Sequence, residues 1–295
     1  MIISASYKTD IPAFYGDWLM NRLEAGYCKM INPYGGQVYR VSLEKADVDG
    51  LIFWTRNVGP FLDKLDRVAE LGFPFTVSHT ITGYPKALDF ATIAPQKAVE
   101  HLVAVRDRFG PYAGVWRYDP IVFSSLTPPA WHLENFAALA QALAGTVSEV
   151  VISFAHIYRK TARNMAAAAR AFDFTWGDES DAVKKELLLA LGEIASKNGI
   201  KATLCGQPHL LVTELAATAC VDAARLSRMA GYPIAAKRKP HRKECGCFQS
   251  KDIGDYDTCP HGCAYCYAVQ HRTIAKQRFR VHDPLGDFLF ERGHQ

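Results

Sequence analysis

Six short apolar runs rich in β-branched and aromatic residues, MIISA, VDGLIFW, FPFTVSH, YAGVWRY, EVVISFA and IKATLC, recur along the chain. Helix-patterned segments lie between them, among them 59–71, 95–109, 131–144 and 182–198, with apolar residues at three- and four-residue steps. Runs of this length and composition predict buried strands. Strands that alternate with helices favour a parallel sheet covered by those helices, because parallel neighbours need a long crossover. The expectation is an α/β fold: a partial or closed TIM-like (β/α)6 barrel with a C-terminal cysteine-rich iron–sulfur segment. The alanine-rich stretch RNMAAAARAF, residues 163–172, predicts an amphipathic helix with a structural role.

The residues that follow each run are polar: Thr9 and Asp10; Thr55, Arg56 and Asn57; His79, Thr80 and Thr82; Arg117, Tyr118 and Asp119; Ser153 and His156; Gln207 and His209. In a β/α barrel the carboxyl ends of the strands converge on one mouth, so functional groups collect there while the strands stay apolar. Any single member of the set reads equally well as a helix cap or a loop hydrogen-bonder. Six polar strand ends together describe an active-site rim. On it, His79, His156, Tyr84 and Tyr158 are candidates to line a substrate space, with a histidine or tyrosine managing protons or relaying hydrogen atoms. The alternative for each is ordinary packing at a half-buried position.

At 295 residues, with 49% hydrophobic and 22% charged residues, the chain can bury a large core without disulfides. No apolar run is long enough to span a bilayer, and the N-terminus MIISASYKTDIP shows no secretory leader. A cytoplasmic protein with no membrane partner is expected. The net charge of +4 is too small to argue for nucleic acid, and the basic run KRKPHRK at 237–243 reads as a solvated linker. Residues 1–235 are expected to form the barrel and 236–295 a cysteine-rich segment packed at its mouth. In a reducing compartment eight cysteines, five of them between Cys245 and Cys266, point to metal ligation rather than a disulfide framework.

The stretch DTCPHGCAYCYA, residues 257–268, places Cys259, Cys263 and Cys266 in a C-x3-C-x2-C loop, with Gly262 permitting a tight backbone path. A zinc ribbon normally offers paired C-x-x-C knuckles. Three thiolates on a four-iron cubane leave one iron open to a further ligand. The segment CPHGCAYC, with Tyr265 before the third cysteine, resembles the cluster-binding motif of the radical S-adenosylmethionine (radical SAM) enzymes. That resemblance implies a 4Fe-4S cluster, S-adenosyl-L-methionine at its open iron, and a 5′-deoxyadenosyl radical that takes hydrogen from a small-molecule or otherwise unknown substrate. A reductase or flavodoxin-like electron donor would be the partner. In that superfamily the loop usually follows the first barrel strand, whereas here it follows all six runs; the last and first strands of a nearly closed barrel meet, so the mouth stays within reach. Together with YKTDIP, FWTRN, TITGY, RYDPI and SKDIGDYDTCPHGCAYCYA, the placement resembles the family called domain of unknown function 1848, over nearly the whole chain.

The superfamily's glycine-rich and ribose-binding signatures have no clear counterpart here, so cofactor contacts are assigned from strand-end chemistry. Arg56 or Arg117 suits the methionine carboxylate, although both suit pairing with nearby acids instead; Asp119 and Asp10 suit ribose hydroxyls, and the backbone around Tyr265 is expected near adenine. Cys245 and Cys247 lie outside a three-ligand loop. With Cys205 and Cys220 they would complete a second iron–sulfur cluster or a zinc site, the C-x-C spacing of Cys245 and Cys247 favouring iron, although Cys205 and Cys220 read equally well as small buried hydrophobes. Cys28 is needed by neither arrangement. Two further readings remain open from the residues: a nucleic-acid repair enzyme like spore photoproduct lyase, faintly echoed by WTRN, and a noncatalytic zinc-binding protein.

Overall fold

Each of the six apolar runs forms a strand, and all six lie side by side in one parallel sheet. The computed structural model describes residues 1–32, 35–240 and 244–291, so residues 241–243 of the basic run lie outside the described residues. In chain order the strands are β1 (Ile2–Ala5), β2 (Tyr27–Ile31), β3 (Val38–Ser42), β4 (Gly50–Thr55), β5 (Phe75–Thr80), β6 (Gly114–Ile121), β7 (Phe123–Ser124), β8 (Glu149–Phe154), β9 (Trp176–Gly177), β10 (Lys201–Leu204), β11 (Ala216–Ala217) and β12 (Ser250–Asp252). The main sheet has eight parallel strands in the order β11-β10-β8-β6-β5-β4-β1-β12. All four residues of β1 and five of the six in β4, β5 and β8 are buried, as expected where helices cover a parallel sheet.

The crossover helices follow the apolar periodicity. They include Leu62–Glu70, Pro95–Phe109, Pro129–Leu143 and Asp181–Lys197. Proline opens two of them, where its missing N–H costs nothing, and Ser180 caps the last by accepting the Val183 N–H at 3.4 Å. Among the described residues no helix is long and apolar enough to cross a membrane.

Two features go beyond the six-run pattern. The segments YCKMI and VYRVS form an antiparallel hairpin, β2 with β3, in which Cys28, Met30 and Val41 are buried. The sheet also gains β11 and β12, two and three residues long and without an apolar run to mark them. The order of strands is open: no β11–β12 ladder closes a barrel among the described residues. The two edges nevertheless approach one short stretch of chain. The Phe248 N–H donates to Val221 O at 3.1 Å, just beyond β11, and two residues later Ser250 pairs with Ile2 of β1. Ile2, Ile52, Val221, Leu226, Cys245 and Cys247 accordingly share one buried cluster.

Candidate functional site

Because the eight strands are parallel, their carboxyl ends share one side of the sheet, and the loop carrying Cys259, Cys263 and Cys266 leaves that side from β12. Its position is set by Asp252 at the end of β12, a buried carboxylate that accepts Ser4 Oγ and Ser6 Oγ, both at 2.8 Å, Tyr7 N at 3.0 Å and Gly254 N at 3.1 Å. Lys8 Nζ lies 3.3 Å from the same carboxylate. The first strand therefore grips the last. Further along, Thr9 Oγ1 donates to Asp255 O and Tyr15 Oη to Thr258 O, both at 2.6 Å, and Tyr267 Oη to Tyr7 O at 2.7 Å.

Within the loop, Gly262 adopts φ +77°, a conformation that favours glycine, and a Cβ there would lie 2.4 Å from Arg272 Cδ and displace that side chain. Cys266 N donates to Cys263 O at 3.1 Å, which folds the last two cysteines onto one turn. Burial pushes the Cys259 thiol up to about 12 and raises Cys263 and Cys266 as well. Backbone N–H groups work against that rise, from His261 and Asp10 at Cys259 and from Ala268 and Val269 at Cys266, the Ala268 contact measuring 3.3 Å. Amides aimed at sulfur favour the thiolate, while burial makes a thiolate costly without a counter-charge. A bound metal supplies that charge, so the donor set fits a thiolate-ligated centre. Among the described residues no group of three or more His, Cys, Asp or Glu side chains is placed so that it could hold a metal ion as it stands.

Arg56, at the end of β4, is already engaged. It forms a buried ion pair with Asp89, contacts the Tyr265 hydroxyl, and reaches Thr82 Oγ1 at 3.3 Å. Asp89 in turn accepts Tyr265 Oη at 2.7 Å and Thr82 Oγ1 at 2.9 Å. This network of Arg56, Asp89, Thr82 and Tyr265 fastens the middle of the cysteine loop to the ends of β4 and β5. A small cavity opens beside it, lined in part by Arg56, Thr82, Tyr84 and Asp89. Asp10 performs the same service on the other flank. Its carboxylate caps the short helix Ile11–Phe14 at Ala13 N (3.0 Å), accepts Arg56 N at 2.7 Å, and meets His261 Nε2 at 2.7 Å. Asp89, Asp252 and His261 are the members sequence reasoning missed. None belongs to a strand-end run, though His261 lies inside the cysteine motif.

The remaining candidates divide. Arg117 pairs with Asp119, which Ser153 also contacts, stacks over Trp54 at 4.9 Å, and donates from Nη1 to Cys220 Sγ at 3.2 Å. Arg117 and Asp119 thus sit beside the second group of cysteines. His79 is fully buried with both ring nitrogens lacking a hydrogen bond of normal geometry, and burial lowers its pKa to about 3. It cannot be a protonated acid near neutrality. His156 and Tyr158 are exposed, their ring centroids 6.0 Å apart, with Tyr158 6.3 Å from Tyr267 beside the loop. Tyr84 is structural: its hydroxyl donates to Pro120 O at 2.9 Å and accepts Val122 N at 2.8 Å.

The other cysteines come from three segments. Cys205 and Cys220 bring their sulfurs to 2.9 Å, and Cys247 Sγ accepts the N–H of Val221 at 3.4 Å. Hydrogen bonds from Cys205 and then Cys247 hold the Cys220 thiol well below the ordinary range, helped by Arg117. Cys28 lies apart, buried in the β2–β3 hairpin, where burial raises its thiol to about 12.

The family model described as domain of unknown function (DUF1848) matches residues 2–268, a span that includes all eight cysteines, and the chain belongs to that family. No curated protein matches it.

Proposed function

For this member of the family, we propose a radical S-adenosylmethionine-type enzyme that holds a 4Fe-4S cluster through Cys259, Cys263 and Cys266. The observation that carries the reading is one short loop that bears three half-buried cysteines, with backbone amides directed at two of them, fixed to the carboxyl ends of β1, β4 and β5. Bound there, such a cluster would supply an iron with a free coordination position, at which S-adenosylmethionine is cleaved reductively to begin radical chemistry on the substrate.

The chain's own residues do the rest. Asp252 and the Thr9, Tyr15 and Tyr267 hydrogen bonds hold the loop in register with β1. In the Arg56–Asp89 pair the guanidinium favours the Cys263 thiolate while the carboxylate opposes it, so the pair serves chiefly to hold the loop, with Tyr265 locked between the two. With Asp89 on its guanidinium, Arg56 acts first on the loop; Arg117, paired with Asp119, is likewise not free to clamp a carboxylate. Asp10 orients His261 across the motif. The exposed rings of His156 and Tyr158, next to Tyr267, form the wall along which a substrate approaches.

The finer fold reading goes with this function. The sheet is a partial barrel whose edge strand β12 stands beside β1, in the place from which the cluster loop of a radical SAM barrel usually departs. The motif is late in the chain yet first in the sheet. A cytoplasmic setting, which keeps thiols reduced, and a flavodoxin-like electron donor complete the proposal.

Anaerobic reconstitution with iron and sulfide tests it. The expected product is a brown, oxygen-sensitive protein whose reduced paramagnetic resonance spectrum changes on adding S-adenosylmethionine and which yields 5′-deoxyadenosine with dithionite. A Cys259→Ala/Cys263→Ala/Cys266→Ala variant that keeps all the iron and sulfide of the wild type would overturn the ligand assignment. A loaded cluster whose spectrum ignores S-adenosylmethionine would overturn the cofactor.

A further inference from the structure

Cys205 follows β10, Cys220 follows β11, and Cys245 and Cys247 precede β12, yet the fold brings these segments to one place. Cys205 Sγ and Cys220 Sγ are 2.9 Å apart, Cys220 is also hydrogen-bonded to Cys247, and Cys247 Sγ accepts the amide next to Cys220. Cys245 joins through the backbone: a Cβ placed on Gly206, the neighbour of Cys205, would lie 4.0 Å from Cys245 Cβ. Cysteines that only filled space would have no reason to bring sulfurs from three separate segments into contact.

We propose that Cys205, Cys220, Cys245 and Cys247 form a second metal site, a tetrathiolate centre for a single zinc ion, which ties the two edges of the sheet together. Spacing selects the ion. A zinc–sulfur bond of about 2.3 Å in a tetrahedron sets sulfurs about 3.8 Å apart. Opening the 2.9 Å contact to that edge is within the reach of rotation about the cysteine Cα–Cβ bonds. A four-iron cubane puts each cysteine sulfur on a different iron and spreads the four much more widely.

Charge agrees. One divalent ion with four thiolates carries a net charge of −2, and guanidinium groups stand by to offset it: Arg117 Nη1 on Cys220 Sγ at 3.2 Å, and Arg238 Nη1 3.6 Å from where a side chain on Gly246 would begin. The location gives the site its purpose. Lys239 N donates to Cys247 O at 3.0 Å and Phe248 N to Val221 O at 3.1 Å, so the segment is held on the β11 side immediately before it becomes β12. A metal there fixes the strand from which the catalytic loop hangs, without itself taking part in the reaction.

The test uses the Cys259→Ala/Cys263→Ala/Cys266→Ala variant, so that its outcome is independent of the loop cluster. Purified anaerobically from zinc-supplemented medium, that variant is expected to retain about one zinc per chain, and Cys245→Ser/Cys247→Ser added to it to lose the zinc. A folded triple variant without metal, zinc that survives the added serines, or iron with sulfide in place of zinc would each overturn the proposal. Cobalt(II) supplied to the zinc-stripped triple variant gives a second reading that needs no further substitution. Thiolate-to-cobalt charge transfer with tetrahedral ligand-field bands is expected, and their absence would also overturn it.

Discussion

The two groups of cysteines are built in opposite ways. In the loop of Cys259, Cys263 and Cys266, the cysteines are neighbours in sequence, and the structure's effort goes into holding one loop in place through distant polar contacts. In the group of Cys205, Cys220, Cys245 and Cys247, the cysteines are scattered over more than forty residues, and the fold itself brings their segments together, with the sulfurs of Cys205 and Cys220 in direct contact. A local motif carries its geometry with it and needs an address. A dispersed one has its address built in and takes its geometry from the sheet. The first should fail when its anchor is cut, even with every cysteine intact, whereas the second should fail only when the edges of the sheet come apart.

Asp252→Ala is the sharpest way to test that contrast and carries the largest expected effect. It removes a buried carboxylate that satisfies two hydroxyls and two amides and faces Lys8, leaving those groups unpaired. Losing one side of such a buried network costs about 3 kcal/mol or more. The expected outcome is a large fall in denaturant midpoint and loss of iron uptake at the loop, while zinc at the dispersed site is kept as long as the protein is folded. Asp252→Asn, which preserves shape and one acceptor, should lose less. Metal analysis on the folded fraction decides; a variant that reconstitutes the loop normally would show that the anchor is not Asp252.

His79, beneath the rim at the end of β5, gives the next effect through pH. Burial holds its native pKa at about 3, below the usual 6.5, so the native ring is neutral. As pH falls below about 6.5 the unfolded chain takes up a proton that the native chain refuses, and stability is lost at about 1.4 kcal/mol per pH unit until pH nears 3. His79→Leu, similar in bulk and unable to titrate, should flatten the fall in urea midpoint between pH 7 and pH 4.5. Part of the slope should remain, because burial also lowers His132, to about 4. An unchanged slope would mean that His79 is not the buried neutral group.

How much of this was legible in the sequence follows from the same contrast. The six main strands and their helices announce themselves because burial on both sheet faces demands continuous apolar runs, and helix packing demands a period near 3.6. The helix Pro95–Phe109 coincides with the segment marked by periodicity alone. β11 and β12 carry no such signal: Ala-Ala and Ser-Lys-Asp become strands only because a parallel edge is waiting for them. The hairpin of β2 and β3 does show alternation, with Cys28 and Met30 buried and their neighbours half-buried, but the strands are short and lie outside the β/α rhythm. In the candidate site, the cysteine loop is local and readable. Asp89 and Asp252 are not, since what makes them matter is a partner 33 residues away in one case and 248 in the other. Arg56 and Arg117 stand out from sequence as strand-end guanidiniums that suit either a ligand carboxylate or a nearby acid, and the structure decides for the acid by giving each an aspartate. Polar strand ends identify where the site is, not which of their side chains remain uncommitted.

Cys28 belongs to neither group, and the smallest effect tests whether the comparison is complete. Its side chain is wholly buried among the apolar residues that join the β2–β3 hairpin to the core, and burial raises its thiol to about 12, so near neutrality it is a protonated, apolar side chain rather than a thiolate ligand. Cys28→Ala deletes one buried sulfur and leaves a small void, which costs about 1 kcal/mol. A modest fall in denaturant midpoint is therefore expected, with iron, sulfide and zinc contents all equal to wild type. If the variant instead loses metal from either site, a ligand has been overlooked and the separation into a local set of three and a dispersed set of four is wrong. Cys28→Ser makes the test stricter: the new hydroxyl would be buried in an apolar pocket, so it should cost more stability than alanine while leaving both metal contents unchanged.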